Sequence, residues 1–271
     1  MVIPRFFVPQ ALVVGQCVTL PEAVANHAVR VLRLQPGDAL VLFNGEGGAY
    51  AGVLLPQMSD SSSDTVAKSG KTRREGKGAR ANSPREVQVV LQAFEPDDRA
   101  SPLRIALWQG VSAAERMDYT WQKSVELGVH RCVPVETQRC NHRMDDTRAQ
   151  KRHLHWQGVI VAAAEQCGLN RLPVLEPVQS LTEALRFPVI GTRIMLDPDA
   201  TESYPDWLSR QQALTDLTIL IGPEGGFAPE EIEAAKAAGF QCFRLGPRVF
   251  RTETAGPVAL AVTQAIAGDL R

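Results

Sequence analysis

The sequence predicts an α/β protein in two parts, with a mainly parallel sheet in the C-terminal part and a small β-barrel before it. Three observations predict this. After Ser101, strand-like apolar runs alternate with helical patterns, the rhythm of a parallel sheet. Before Pro96 the chain reads as short strands broken by turns. Near the C-terminus, two glycine-bearing turns each follow an apolar run that reads as a buried strand, and in open α/β sheets ligands collect at the carboxyl ends of strands.

The first strands are Arg5 to Val8 and Cys17 to Leu20. A short helix from about Asn26 to Leu34 follows; it sets His27, Arg30 and Arg33 on one side at three-residue steps and turns Val31 and Leu32 toward the barrel. Ala39 to Phe43 and Ala49 to Leu55 flank the Asn44-Gly45-Glu46-Gly47-Gly48 turn as a hairpin. Residues 59–86 are rich in Ser, Gly, Lys and Arg and nearly devoid of large apolar side chains; they cannot offset their ordering entropy and are expected to form a disordered loop. Val87 to Leu91 resumes as a strand, so the loop interrupts the first domain, residues 1–98. The polar, Pro-bounded stretch from Pro96 to Pro102 separates it from the second, residues 101–271.

In the second domain Leu103 to Trp108 reads as a strand and Glu115 to Leu127 as a helix with Met117, Trp121 and Val125 at i, i+4 and i+8. Arg148 to Cys167 is a second helix. Ile194 to Leu196, Leu217 to Ile221 and Cys242 to Leu245 are strands, with a helix from Pro229 to Ala238 before the last. A closing helix is expected near Pro257 to Leu270, because proline is tolerated in a first helical turn.

Of the 271 residues, 44% are apolar and 22% charged, as in ordinary soluble globular proteins. No apolar stretch approaches the length of a membrane span, and Met1 to Arg5 lacks a signal-peptide core, so a cytoplasmic protein without a membrane partner is expected. Five cysteines with no C-x-x-C pair argue against a disulfide framework and are expected to be reduced, mostly buried small hydrophobes. Five histidines form no H-E-x-x-H or Cys/His cluster, so no metal is predicted, and His153 and His155 are expected to be exposed. A net charge of -1 leaves nucleic-acid binding to local patches. Seven Lys/Arg face one Glu between Val66 and Arg85, and six Lys/Arg, Arg139 among them, face three acids between Arg131 and His155. Each run is either an RNA-facing patch or a solvated face. The same choice, RNA platform or salt-bridged surface, applies to the barrel residues Arg5, His27, Arg30 and Arg33.

The first glycine turn, Ile221-Gly222-Pro223-Glu224-Gly225-Gly226-Phe227, lacks the Gly-Lys-Ser/Thr end of a P-loop and the G-x-G-x-x-G spacing of a dinucleotide site. Glu224, Glu230 and Glu231 crowd it where a phosphate wants bare N–H groups. A ligand with hydroxyls and positive charge fits better, and S-adenosylmethionine has both. Glu230 and Glu231 alone read as complements to the dipole of the helix that Pro229 opens. The second turn runs Leu245-Gly246-Pro247-Arg248-Val249-Phe250-Arg251-Thr252-Glu253-Thr254.

These turns, with Asn26 to Arg33, Pro36-Gly37-Asp38, Gln122 to Val129, Ala164 to Cys167 and Asn170 to Pro173, resemble the RsmE-type 16S ribosomal RNA (uracil-N3) methyltransferases of the SPOUT superfamily. The resemblance covers nearly the whole chain apart from the loop, which is longer than is usual in the family. It implies a PUA-like N-terminal barrel, an α/β domain with a deep trefoil knot, a homodimer, and a uridine of the small ribosomal subunit as substrate. It also implies that S-adenosylmethionine sits against loops matching Leu196-Asp197-Pro198, Ile221 to Phe227 and Leu245 to Ala255. Cofactor contacts are then expected from Leu196, Ile221, Gly222, Pro223, Glu224, Gly225, Gly226, Leu245, Gly246, Thr252 and Thr254.

Methylation at uracil N3 requires loss of the N3 proton and in-line attack on an activated methyl, so the protein supplies orientation, charge stabilisation and proton removal. Arg251 is the candidate for stabilising the anion that spreads onto O2 and O4; the other reading pairs it with Glu253 as a brace. Glu253 is a candidate base, although an adjacent Arg lowers its pKa and weakens it, which leaves the base unassigned. Lys123 and Glu126 form either a surface pair or part of the active site or dimer seam, and Glu165 and Arg171 carry the same two readings; Lys123 and Arg171 are, with Arg139, candidate RNA contacts. The target base must be unpaired or extruded, because N3 lies on the Watson-Crick edge. Two other classes compete: a related enzyme acting on tRNA, and a non-catalytic RNA-binding ribosome-assembly module that needs neither glycine turn. A dinucleotide oxidoreductase is disfavoured by the missing fingerprint.

Overall fold

In the computed structural model the described residues are 3–56, 86–187 and 191–270. The basic loop expected over residues 59–86 lies outside them except for Glu86. The chain divides into two compact units, Met1–Asp97 and Asp98–Arg271.

The first unit contains β1 (Arg5–Phe7), β2 (Cys17–Thr19), α1 (Glu22–Asn26), β3 (Ala39–Phe43), β4 (Ala49–Leu54) and β5 (Gln88–Glu95). Its strands form one five-stranded sheet of order β1-β3-β4-β5-β2, with the β3–β4 hairpin in antiparallel register. Phe6, Val8, Leu20, Leu40, Leu42 and Val89 belong to its core. The expected helix over Asn26 to Leu34 starts earlier and ends earlier. α1 runs on into a π-helical turn, His27–Val31, in which the Leu32 amide donates to the His27 carbonyl. The wider turn rotates the face, so Ala28 is buried while Val31 and Leu32 point outward, 67% and 44% exposed. Arg33 leaves the turn at φ 59.

The second unit carries β6 (Arg104–Gly110), α2 (Ala114–Glu126), β7 (Arg131–Glu136), α3 (Asp146–Cys167), β8 (Val174–Leu175), β9 (Gln179–Ser180), α4 (Leu181–Ala184) and β10 (Thr192–Leu196). α5 (Tyr204–Ser209), β11 (Asp216–Ile221), α6 (Pro229–Ala237), β12 (Gln241–Phe243) and α7 (Thr252–Ala267) complete it. The strands lie in the order β12-β10-β11-β6-β7-β8, with β9 also on β7. Every one of these pairings is parallel. Met117, Trp121 and Val125 are the buried face of α2, and Trp121 meets Trp156 of α3 edge-on at 6.2 Å.

The closing helix departs from expectation. It begins at Thr252, and Gly256 and Pro257 lie inside it, both buried. Pro257 removes one internal hydrogen bond, but close packing outweighs that local cost: a Cβ on Gly256 would lie 3.2 Å from Leu107 of β6. All five cysteines are free; Cys132 and Cys140 are buried, Cys167 and Cys242 half-buried and Cys17 exposed, so the expectation of mostly buried thiols holds for two. Of the two histidines expected to be exposed, His155 is, and it bonds Asp118 at 2.8 Å, whereas His153 is half-buried. No described helix is long and apolar enough to cross a membrane, and no metal-binding group occurs among the described residues.

Candidate functional site

At the carboxyl ends of β10, β11 and β12 the chain leaves the sheet in three loops that together line a cavity of about 890 Å³. A parallel sheet ends all its strands on one side with free backbone groups there, so the loops converge on the same space. Leu196 enters from β10, Ile221, Gly222, Pro223, Glu224 and Gly226 from the turn after β11, and Leu245, Gly246, Arg251 and Thr252 from the stretch before α7. Arg139, from the loop after β7, also reaches the cavity.

Gly225 and Gly226 have different jobs. A Cβ on Gly225 would sit 2.8 Å from the Arg139 carbonyl oxygen, so its bareness serves packing between two loops, and it does not line the cavity. Gly226 has φ +66 and nothing within 4 Å of its Cβ position; Gly246, φ +76, is equally open. Those two glycines present bare backbone to the cavity.

The Glu224 carboxylate accepts from the Arg116 guanidinium at 2.7 Å and from the Ala113 amide at 3.3 Å. Burial alone raises this carboxyl, but the amides of Glu224 itself and of Ala113, together with Arg116, outweigh it and hold it below the usual glutamate range. Glu231 plays no part in the cavity. It accepts from the Ala228 and Gln138 amides, capping α6 and tying down the loop that carries Arg139.

Glu253 does not pair with Arg251. Its Oε1 lies 3.8 Å from Arg116 Nε, its Oε2 is buried without a hydrogen-bond partner, and the residue is not among those lining the cavity. The reason is helical geometry: Arg251 is the N-cap of α7 and Glu253 is in its first turn, so their side chains leave in different directions. The Arg251 side chain is exposed at the cavity and has no hydrogen-bond or ion-pair partner among the described residues. Thr252 is 7% exposed, and its hydroxyl donates to the Gly222 carbonyl at 2.6 Å, so its proton belongs to the protein. Thr254 sits in the first turn of α7, its amide donating to the Arg251 carbonyl, and does not line the cavity.

The structure leaves other expected residues off the cavity. Lys123 pairs with Glu126 at 2.8 Å along α2. Arg171 pairs with Asp98 at 3.0 Å. In the first unit, the Arg5 guanidinium lies over the Phe43 ring at 5.3 Å, His27 meets Phe6 edge-on, and Arg30 and Arg33 are exposed.

Sequence reasoning gave no role to Arg116 or to the carboxylates Asp199 and Asp206, which also line the cavity. Asp197, named only as part of a loop, stands one residue past the end of β10, and that position was the available signal. Arg116 had none, since its partners are more than a hundred residues away.

A parallel sheet whose carboxyl end holds a roomy cavity bounded by glycine turns defines an α/β ligand-binding domain of enzyme type. The chain belongs to the RNA methyltransferase family: residues 99–264 match the model of the RNA methyltransferase domain, and residues 20–55 that of the RNA methyltransferase PUA domain. Among curated relatives, ribosomal RNA small subunit methyltransferase E of Buchnera aphidicola from Schizaphis graminum is 29% identical over 99% of this chain and 98% of its own. Among solved structures, the ribosomal RNA small subunit methyltransferase E of Neisseria gonorrhoeae bound to S-adenosyl methionine is 34% identical, with TM-score 0.83 over 99% of this chain and 100% of that one. A Legionella pneumophila chain described as a methyltransferase in complex with bound SAM matches with the same identity and TM-score over 100% of both chains. The family resemblance drawn from the sequence motifs is borne out.

Proposed function

We propose that this protein transfers the methyl group of S-adenosylmethionine to N3 of one uridine in 16S rRNA of the small ribosomal subunit. In this reading it works as a cytoplasmic homodimer, with a PUA-like RNA platform in residues 1–98 and a SPOUT domain with a deep trefoil knot in residues 101–271. The observation that carries the reading is a cavity shared by three loops at the carboxyl ends of adjacent strands, with the unpartnered Arg251 side chain at it.

The residues present fit the cofactor. Gly226 and Gly246 leave room for a ligand against bare backbone, Leu196, Ile221 and Leu245 offer apolar contact, and Asp197, Asp199 and Asp206 offer acceptors for hydroxyls and an ammonium group. When bound, S-adenosylmethionine supplies an electrophilic methyl that needs no further activation. The chain's own task is to orient the base and stabilise charge. Methyl transfer to N3 leaves S-adenosylhomocysteine, and the N3 proton passes to solvent water; its loss spreads negative charge onto O2 and O4, and the Arg251 guanidinium, with no protein partner to compete, donates hydrogen bonds to that charge. Arg5, His27, Arg30 and Arg33 hold RNA phosphates in the first unit.

The test is to incubate purified small subunits lacking the modification with the protein and S-adenosylmethionine and to map the product by mass spectrometry. One N3-methyluridine in 16S rRNA is the expected result. Methylation of tRNA, or none anywhere, overturns the proposal.

A further inference from the structure

Beneath the two glycine turns runs a hydrogen-bond chain that no part of the mechanism above uses. Gln109 stands near the end of β6, fully buried at 0% exposure. Its Nε2 donates to Thr252 Oγ1 at 2.7 Å and to the Gly110 carbonyl at 3.3 Å. Thr252 Oγ1 in turn donates to the Gly222 carbonyl at 2.6 Å. Thr252 thus ties the start of α7 to the turn after β11, one buried amide of β6 holds Thr252, and both segments line the cavity.

The chain has a fixed direction. A hydroxyl carries one proton, and with that proton on Gly222, Thr252 can only accept from Gln109. Gln109 must therefore present its NH2 group to Thr252, which leaves its Oε1 buried with no partner, 3.1 Å from where a Cβ of Gly256 would lie. An unsatisfied buried oxygen costs stability, and an apolar side chain of the same shape would avoid that cost. Stability alone does not explain a glutamine here. Geometry does: the hydrogen bonds hold the separation of two segments that Arg116 also bridges from the side, through Glu224 and Glu253.

We infer that Gln109 is a positioning residue, which acts through Thr252 to hold the turn at Gly222 and the start of α7 at the separation that the ligand requires. The inference rests on the reading of the cavity as the S-adenosylmethionine site.

The experiment compares Gln109→Leu, Thr252→Val and Thr252→Ser in the full chain by three measurements: calorimetric titration with S-adenosylmethionine, steady-state methyl transfer, and amide hydrogen exchange of the ligand-free protein. Gln109→Leu and Thr252→Val are each expected to weaken S-adenosylmethionine about tenfold, the scale of one lost hydrogen bond plus a stranded partner. KM for the cofactor rises accordingly, while kcat changes less. The double variant is expected to be no worse than either single one, because both cut the same chain. Thr252→Ser keeps the hydroxyl and is expected to bind like the parent. In the ligand-free protein, exchange accelerates together in residues 221–227 and 252–256 of the two disruptive variants.

Unchanged affinity and unchanged loop exchange in both Gln109→Leu and Thr252→Val overturn the inference, even if thermal stability falls. So does loss of affinity in Thr252→Ser. Should Gln109→Leu fail to fold, the two Thr252 variants decide alone. A parent protein that binds no S-adenosylmethionine refutes the proposed function, and the exchange measurement still judges the positioning role.

Discussion

The parallel sheet carries a second cavity, about 740 Å³, lined by the first residues of β6, β7 and β11, so its two ends can be compared directly. At the amino ends the charges are matched: Arg104 pairs with Asp216 at 2.7 Å and Arg131 with Glu176. Arg104 holds the Asp216 carboxyl below its usual range. At the carboxyl ends the backbone is bare at Gly226 and Gly246, and Arg251 is left without a partner. Size does not separate the two cavities. What separates them is an exposed guanidinium without a partner and open space beside two glycines, both of which a ligand can use.

The sharpest way to break this comparison is to fill the bare backbone. Valine at Gly226 would need φ near +66 and would project into open cavity, so Gly226→Val is expected to abolish detectable S-adenosylmethionine binding while circular dichroism still reports a folded protein. Gly225→Val should act elsewhere, lowering the thermal midpoint through its clash with Arg139. Equal effects of the two on both measurements would erase the distinction drawn between these glycines.

Next in size is Arg251→Ala. Cofactor affinity is expected to stay within a few fold, with single-turnover methyl transfer lowered about a hundredfold or more, the scale of losing one preorganised donor. If affinity falls in step with rate, the arginine binds cofactor and the proposed stabilisation of N3 charge is wrong.

Glu224 gives a smaller effect with a pH signature. Its carboxyl titrates lower in the folded than in the unfolded chain, so it contributes stability above the ordinary glutamate range, and that contribution is lost as pH falls through the folded value. Glu224→Gln is therefore expected to lower the thermal midpoint at neutral pH and to converge with the parent as pH falls well below the ordinary glutamate range. A deficit that stays constant across the titration would deny the electrostatic origin.

The smallest effect belongs to the other end of the sheet. Arg104→Ala, which cuts an ion pair whose arginine side chain is 64% exposed, is expected to leave methyl transfer and cofactor affinity as in the parent. A loss of either would give the amino-end cavity a function and undo the contrast.

Where local pattern and burial coincide, the sequence was legible. Leu217 to Ile221 is apolar but for Thr218, and β11 adds only Asp216 to it; the Met117, Trp121 and Val125 stripe is the buried face of α2. β7 was not legible, because Pro134 disqualifies a run as a central strand. The structure accommodates it: β8 pairs with Arg131 and Cys132, β9 with Val135 and Glu136, and Pro134 falls in the gap between. Pro257 misled in the same way, since nothing local reveals that Gly256 beside it packs against Leu107. Of the site, the loops and Arg251 could be read from the motifs. The partners of Glu224, Glu253 and Thr252 could not, since each comes from β6, α2 or the turn after β11, far away in sequence.

The strand order also bears on how the chain is made. β6 pairs with β7 on one side and with β11 on the other, and β11 is synthesised only after β7, β8, β9 and β10. Until Ile221 has left the ribosome, the β6 edge through Ile105 and Leu107 stays open, a template for other strands. Pairing so distant in sequence is slow to form, and nascent chains stalled before Asp216 would be prone to aggregate. The β6 edge therefore closes late in synthesis, and two of the three cavity loops, those after β11 and β12, lie in the last part of the chain to be made.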